Sequence, residues 1–298
     1  MKKLLTIGLI SFIPLLACAQ QGDTITTYTH PDIPYMIIEP HARMVYLAEH
    51  YWDKVDFRDP NYARHPDITE QAFVNYIDIL RRLPLDVADY CIKGMMRSAE
   101  KAKNNYMYMA NLCDKYLNDP NSPFRSEDLY IPVIEEVVAS RVLSNEEKIR
   151  PRAQMKMIRM NRPGMPAHDF TMTLPDGSRL SLYDIKSQYI LLYLNTPGCD
   201  ACRKTINALR LAPNISKRLN SGQLVIVAVD PDPEREDWEA NLSDYPSSWI
   251  NGYDDTHEIM NRPLYDLKAM PTIYLLDNTK HVLLKDCTVN EADRALRY

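Results

Sequence analysis

Two cysteines separated by two residues, Cys199-Asp200-Ala201-Cys202, carry the clearest chemistry in this sequence. They follow the apolar run Tyr189-Ile190-Leu191-Leu192-Tyr193-Leu194 and open a segment of helical periodicity, Arg203 to Leu211. In a strand, turn and helix setting this spacing suits a redox dithiol. A thiolate on Cys199 would lie at the helix N-terminus, where unpaired N–H groups and the positive end of the dipole stabilise it for attack. Cys202, nearly one turn in, is placed to resolve a mixed disulfide. Half a zinc site or a structural disulfide would use the same residues, but zinc needs four ligands. No second C-x-x-C or close Cys/His pair accompanies this one.

Further along, Ala269-Met270-Pro271-Thr272 leads into Ile273-Tyr274-Leu275-Leu276-Asp277. A proline opening a strand suits a cis peptide bond. By itself Pro271 could equally cap an edge strand; it gains weight from the dithiol.

With both motifs in place, residues from about Gly164 to the end resemble the TlpA-like branch of the thioredoxin superfamily, the envelope thiol-disulfide oxidoreductases. The entry segment from Met165 to Leu182 is similar to that family's opening, with Pro175-Asp176-Gly177 as the turn of a hairpin and a short helix near Leu182 to Lys186. Leu224 to Asp230 has the composition of a buried strand, and a helix-forming insert lies around Glu234 to Leu242. The resemblance implies that Cys199 attacks and Cys202 resolves. It also implies that Pro271, with the backbone of Met270 and with Thr272 after it, shapes a strand edge to which extended substrate adds beside the nucleophile.

The departures from that pattern are specific. Gly198 stands where many members have Trp, and Tyr193 and Thr205 occupy positions where members carry a buried acid or a glutamate, so the usual proton acceptor for the resolving thiol is absent. Asp200 lies inside the dithiol instead. Like-charge repulsion would raise the Cys199 pKa, making the couple more reducing, which favours a reductase or isomerase over an oxidase. Thr196, three residues before Cys199, echoes a peroxidase motif, but Leu192 replaces the proline that motif needs and no arginine is identified for it.

The N-terminus places this chemistry. Lys2-Lys3, the apolar stretch Leu4 to Leu16 and the small residues that follow read as a secretory signal, too short for a membrane span. Leu15-Leu16-Ala17-Cys18 resembles a bacterial lipobox, which would end the signal at residue 17 and lipidate Cys18; Ala17-x-Ala19 fits a cut that leaves 1–19 as signal. Either route leads to the periplasm or cell envelope, with membrane contact only through the lipid in the first case. Residues 20–39 read as a linker or arm.

The 298 residues, with 45% hydrophobic and 25% charged, suit about two domains, and a net charge of −5 argues against a nucleic-acid partner. Only 8 glycines point to a large helical share. Helical spacing predicts an all-α domain over 40–162, with helices near His41–Trp52, Glu70–Arg82, Leu85–Lys101, Asn105–Leu117, Glu127–Val142 and Asn145–Met160. Ser144-Asn145-Glu146-Glu147 is a capping-box pattern, and Pro151 is expected to kink or break the last helix. This half resembles a helical domain of uncharacterised role that precedes thioredoxin folds in some Gram-negative envelope proteins, through His50-Tyr51-Trp52-Asp53 and Asp56-Phe57. Tyr51, Trp52 and Phe57 read as core rather than as a ligand groove.

Cys91 and Cys113 would stand at comparable heights on a helical hairpin, so a bridge is open to them, although free cysteine is often a small buried apolar residue. Cys287 reads as a packed thiol. The basic run Lys148, Arg150, Arg152, Lys156, Arg159 and Arg162, with Met155, Met157 and Met160 between, reads as the solvated face of an interdomain helix. Asp254-Asp255-Thr256-His257-Glu258 lacks the support of a metal site, and neither metal nor cofactor is expected.

The sequence therefore predicts an α/β thioredoxin-like fold over 163–298 behind the all-α domain, with a membrane electron donor and with cysteine-containing envelope proteins or small disulfides as partners. A binding or assembly module on a redox-weak scaffold is the competing reading, since the buried acid and Trp are missing. The two divide on whether replacing both cysteines abolishes function.

Overall fold

The computed structural model describes residues 28–233 and 235–297. The signal and lipidation readings, Cys18 included, lie outside the described residues. No helix among the described residues is long and apolar enough to cross a membrane.

The N-terminal half forms around one apolar cluster. Helices α1 (Pro40–Glu49), α2 (Asn61–Arg64), α3 (Pro66–Leu80), α4 (Leu85–Ala99), α5 (Lys103–Cys113), α6 (Glu127–Ala139) and α7 (Ile149–Arg159) surround it. In α4 the buried side chains Ala88, Cys91, Ile92, Met95, Met96 and Ala99 recur at three- and four-residue spacing, so one stripe meets the core. A π-helical turn, Asp114–Asn118, continues α5 where a simple α-helix was expected. Tyr51, Trp52 and Phe57 are core residues, and Tyr28 stacks on Tyr51 at 4.9 Å.

Pro151 corrects a sequence expectation. The Ser144 box does form, with the Glu147 N–H on Ser144 Oγ and the Ser144 N–H on Glu147 Oε2. It closes a turn rather than starting the helix, which begins at Ile149. Pro151 thus falls in the first turn of α7, where no N–H is needed, and breaks nothing.

Cys91 and Cys113 are both buried free thiols among the helices. The basic run is spread over local partners, Arg159 on Glu135 at 2.7 Å and Arg162 on Asp128 at 2.5 Å, as a solvated interdomain face would be.

The C-terminal half is a seven-stranded sheet. Strands β1 (Thr171–Thr173), β2 (Arg179–Ser181), β3 (Tyr189–Leu194), β4 (Leu224–Asp230), β5 (Ile250–Tyr253), β6 (Thr272–Asp277) and β7 (Val282–Leu284) lie in the order β2-β1-β5-β4-β3-β6-β7. β3, β4 and β5 run parallel, whereas β6 is antiparallel to β3. β5 was not anticipated. Gly252 within it is required by packing, because a β-carbon there would meet Met172 Cγ at 2.8 Å.

Both faces of the central strands are buried, and alternation divides them. Ile190, Leu192 and Leu194 join one cluster with Val227, Val229, Tyr274 and Leu276. Leu191 and Tyr193 join the other, beneath α8 (Asp200–Leu211), α9 (Pro213–Asn220) and α12 (Val289–Ala295). The insert contributes α10 (Arg235–Ala240), and α11 (Glu258–Asn261) follows β5.

The halves are tied by polar contacts. Lys285, 3% exposed, pairs with Glu127 at 3.0 Å and donates to the Ile158 carbonyl at 3.0 Å. Arg125 pairs with Asp286 at 2.9 Å. Lys268 Nζ donates to Asn118 Oδ1 at 3.3 Å, so the π-helical turn of the helical half meets the segment that leads to Pro271.

Candidate active site

Strand β3 ends at Leu194, and residues 195–198 turn the chain into α8. Gly198 makes that turn at φ +74°, a left-handed conformation that favours glycine. The position where Trp was expected therefore has a backbone unsuited to a bulky residue. Cys199 follows as the N-cap of α8, half-buried, while Cys202 on the inward stripe with Ile206 and Leu209 is 2% exposed.

The two thiols are set apart electrostatically. Hydrogen bonding from the Cys202 backbone N–H, then from the Cys202 thiol and the Ala201 N–H, holds the Cys199 thiol below its usual range against a smaller opposing effect of burial. Burial pushes Cys202 up to about 11. Asp200 acts in the expected direction, raising Cys199, but the net shift is downward. Its repulsion is present but is the weakest contribution, because the carboxylate is 82% exposed and bound by Arg203. Solvent and a counter-charge screen it, while the helix N–H groups point directly at the sulfur.

The peptide between Met270 and Pro271 is cis. Thr272, just after it, pairs in register with Leu194, so the proline lies at the same end of the sheet as the turn that delivers Cys199. Met270 and Pro271 are partly exposed. Thr272 is buried, and its Oγ1 donates to the Ala269 carbonyl at 2.7 Å, which shapes the loop rather than presenting a hydroxyl outward. Thr205 donates to the Ala201 carbonyl at 3.0 Å. Cys287 is a packed thiol, pushed up to about 12 by burial.

The sheet also gathers residues to which the sequence reading gave no role. Tyr193, fully buried, donates its hydroxyl to the Cys202 carbonyl at 2.9 Å. Asn195 Nδ2 donates to the carbonyls of Tyr193 at 3.2 Å and Val229 at 3.3 Å, and its Oδ1 accepts from the Tyr245 hydroxyl. Asp230, 4% exposed at the end of β4, is pushed up to about 6 by burial. Asn195 and Asp230 both close parallel strands at the end where α/β sheets place their sites, a signal the sequence offered. Tyr245 sits in the insert with no comparable signal.

This geometry has close counterparts. A crystal structure of a thioredoxin-like protein from Bacteroides caccae superposes with a TM-score of 0.87 and 46% identity, covering 92% of this chain and 99% of that one. The chain belongs to the thioredoxin-like proteins. The C-terminal domain of an uncharacterized Bacteroides fragilis protein is 40% identical over 46% of this thioredoxin-like chain and 99% of its own, with a TM-score of 0.46. Residues 17–161 match a family described as a domain of unknown function, DUF5106. A curated relative, probable nucleoredoxin 3 of Oryza sativa subsp. japonica, is 29% identical over 101 residues, 34% of this chain. The match spans about a fifth (21%) of that relative's length.

Proposed function

We propose that this thioredoxin-like protein is a thiol–disulfide oxidoreductase of the cell envelope, acting as a reductase or isomerase. The observation that carries this reading is the asymmetry of the dithiol: Cys199, half-buried at the N-cap of α8, is held below the usual thiol range, beside a buried, protonated Cys202. The thiolate, not the thiol, is the nucleophile, so Cys199 attacks a substrate disulfide and Cys202 resolves the mixed disulfide. The partly exposed Met270–Pro271 edge receives the extended chain around the substrate cysteine, and Thr272 fixes that edge from within. Substrates are cysteine-containing envelope proteins or small disulfides, and a membrane donor supplies electrons. The envelope assignment rests on the leader-like N-terminus.

The reducing direction no longer rests on repulsion by Asp200. It rests on the modest source of stabilisation: backbone N–H groups act on Cys199, and Arg203 is occupied by Asp200. Among the described residues, no cation is among the groups that shift the Cys199 thiol, and strongly oxidising dithiols stabilise their thiolate further. The test is the equilibrium potential of the Cys199/Cys202 pair, with Cys91, Cys113 and Cys287 replaced by serine. A value near that of thioredoxin, about −270 mV, supports the reading, and one near about −120 mV overturns its direction. Failure of the pair to form a disulfide would favour a binding module instead.

A further inference from the structure

Resolution poses a problem of its own in this site. Cys202 is buried and its thiol is pushed up to about 11, yet it must lose a proton to attack. Before substrate arrives, that thiol hydrogen-bonds to the Cys199 sulfur. Once Cys199 is consumed in a mixed disulfide, its sulfur is no longer an anionic acceptor.

Tyr193 is the hydroxyl built against this thiol. Its side chain is fully buried beneath α8, and its O–H reaches the Cys202 carbonyl at 2.9 Å. The surroundings fix it: the Trp249 ring packs edge-on at 6.4 Å, and Asn195, itself held by Tyr245, clamps the Tyr193 carbonyl. A hydroxyl rotates freely about its C–O bond, so the same group can turn from the carbonyl oxygen to the sulfur. Burial pushes its own ionisation far upward, so it donates and does not act as a base.

We propose that Tyr193 activates Cys202 for the resolving step, its hydroxyl donating to the Cys202 sulfur as that sulfur becomes anionic. This rests on the oxidoreductase reading above. In the step, the Cys202 sulfur bonds to Cys199 Sγ and the bond from Cys199 to the substrate sulfur breaks. The electron pair leaves on the substrate sulfur, which also gains the proton given up by Cys202. The substrate is reduced to a thiol and the pair is oxidised to a disulfide.

The test uses the full chain with Cys18, Cys91, Cys113 and Cys287 replaced by serine, and dithiobis-nitrobenzoate as the disulfide probe. One chromophore is released when Cys199 attacks and a second when Cys202 resolves, so the steps are read separately. Tyr193→Phe keeps the ring and deletes only the hydroxyl. It should slow the second release about tenfold, equivalent to about one pH unit in the Cys202 ionisation, and leave the first within about twofold. In a Cys199→Ser background, Tyr193→Phe should raise the ultraviolet thiolate titration of Cys202 by a similar amount. That second measurement needs no catalysis and reads Tyr193 even if exchange fails. An unshifted titration, or two releases slowed equally, would overturn the role of Tyr193. Absence of the first release in the parent protein would instead sink the oxidoreductase reading.

Discussion

Asp200 and Arg203 face each other across the first turn of α8, the guanidinium of one holding the carboxylate of the other beside the attacking thiol. The pair governs how much of the Asp200 charge Cys199 feels. Removing either partner should therefore move the Cys199 titration in opposite directions. Asp200→Asn deletes this repulsive contribution and should lower it; Arg203→Gln unmasks the carboxylate and should raise it. Both side chains are exposed, so each shift should stay below about one pH unit and shrink as salt is added. The pH dependence of Cys199 alkylation reads both, and a common direction for the two variants would refute the pairing.

Lys285 couples the halves of the chain through a nearly buried ammonium, shared between Glu127 and the carbonyls at the end of α7. Burial holds the Glu127 carboxyl above its ordinary range, with Lys285 opposing that rise. Losing the lysine leaves the acid without its counter-charge and removes the side-chain donor from the Ile158 carbonyl. Lys285→Ala should cost about 3 kcal/mol, the lower end for breaking one side of a buried pair. The double replacement Glu127→Gln with Lys285→Met removes both charges and should recover most of that loss. Denaturant unfolding of the two variants distinguishes a structural pair from an incidental one, for which both would match the parent.

Asp230 gives the protein a pH dependence of defined sign. Its carboxyl is shifted from 3.8 to about 6, chiefly by burial, with Asp232 raising it and His257 and the Asp232 N–H opposing. The Tyr245 hydroxyl feels its charge as well. A carboxyl whose folded value is raised binds its proton more tightly in the folded state. Its stabilising effect is complete below about pH 4 and is lost as pH rises through about 6. Two units correspond to at most about 3 kcal/mol. Asp230→Asn should therefore be more stable than the parent at neutral pH, with the difference vanishing near pH 4. Equal stability at pH 7 would show that Asp230 is not desolvated as its position requires.

Local signals made much of this legible in the sequence alone. The dithiol, the proline and the buried strands are each contained within a few residues, and the helical half announces itself by apolar spacing. What was missed depends on distant pairing. Ile250-Asn251-Gly252-Tyr253 has no strand-like run, and becomes β5 because β4 supplies a parallel partner and Gly252 admits Met172. Tyr193 could be read only as a missing acid until the curl of α8 put the Cys202 carbonyl over its hydroxyl. The net shift of Cys199 was misjudged for the same reason: Asp200 acts with the expected sign, but its size depends on Arg203, which only geometry places against the carboxylate. Pro151 failed because a proline in a helical window says nothing about which turn it occupies.

Gly198 offers a last test, because it joins backbone conformation to chemistry. At φ +74° it faces open space, so a side chain there meets no steric clash and only the left-handed backbone opposes it. An ordinary L-residue in that conformation costs roughly 1–2 kcal/mol, while asparagine tolerates it better. Gly198→Ala should lose about 1 kcal/mol of stability, or relax the turn and draw Cys199 away from the N–H groups of Ala201 and Cys202. In the second case its thiol titration rises and its alkylation at neutral pH slows. Gly198→Asn should lie between alanine and the parent on both scales. If alanine changes neither stability nor Cys199 reactivity, the left-handed turn is not what places the nucleophile at the head of α8.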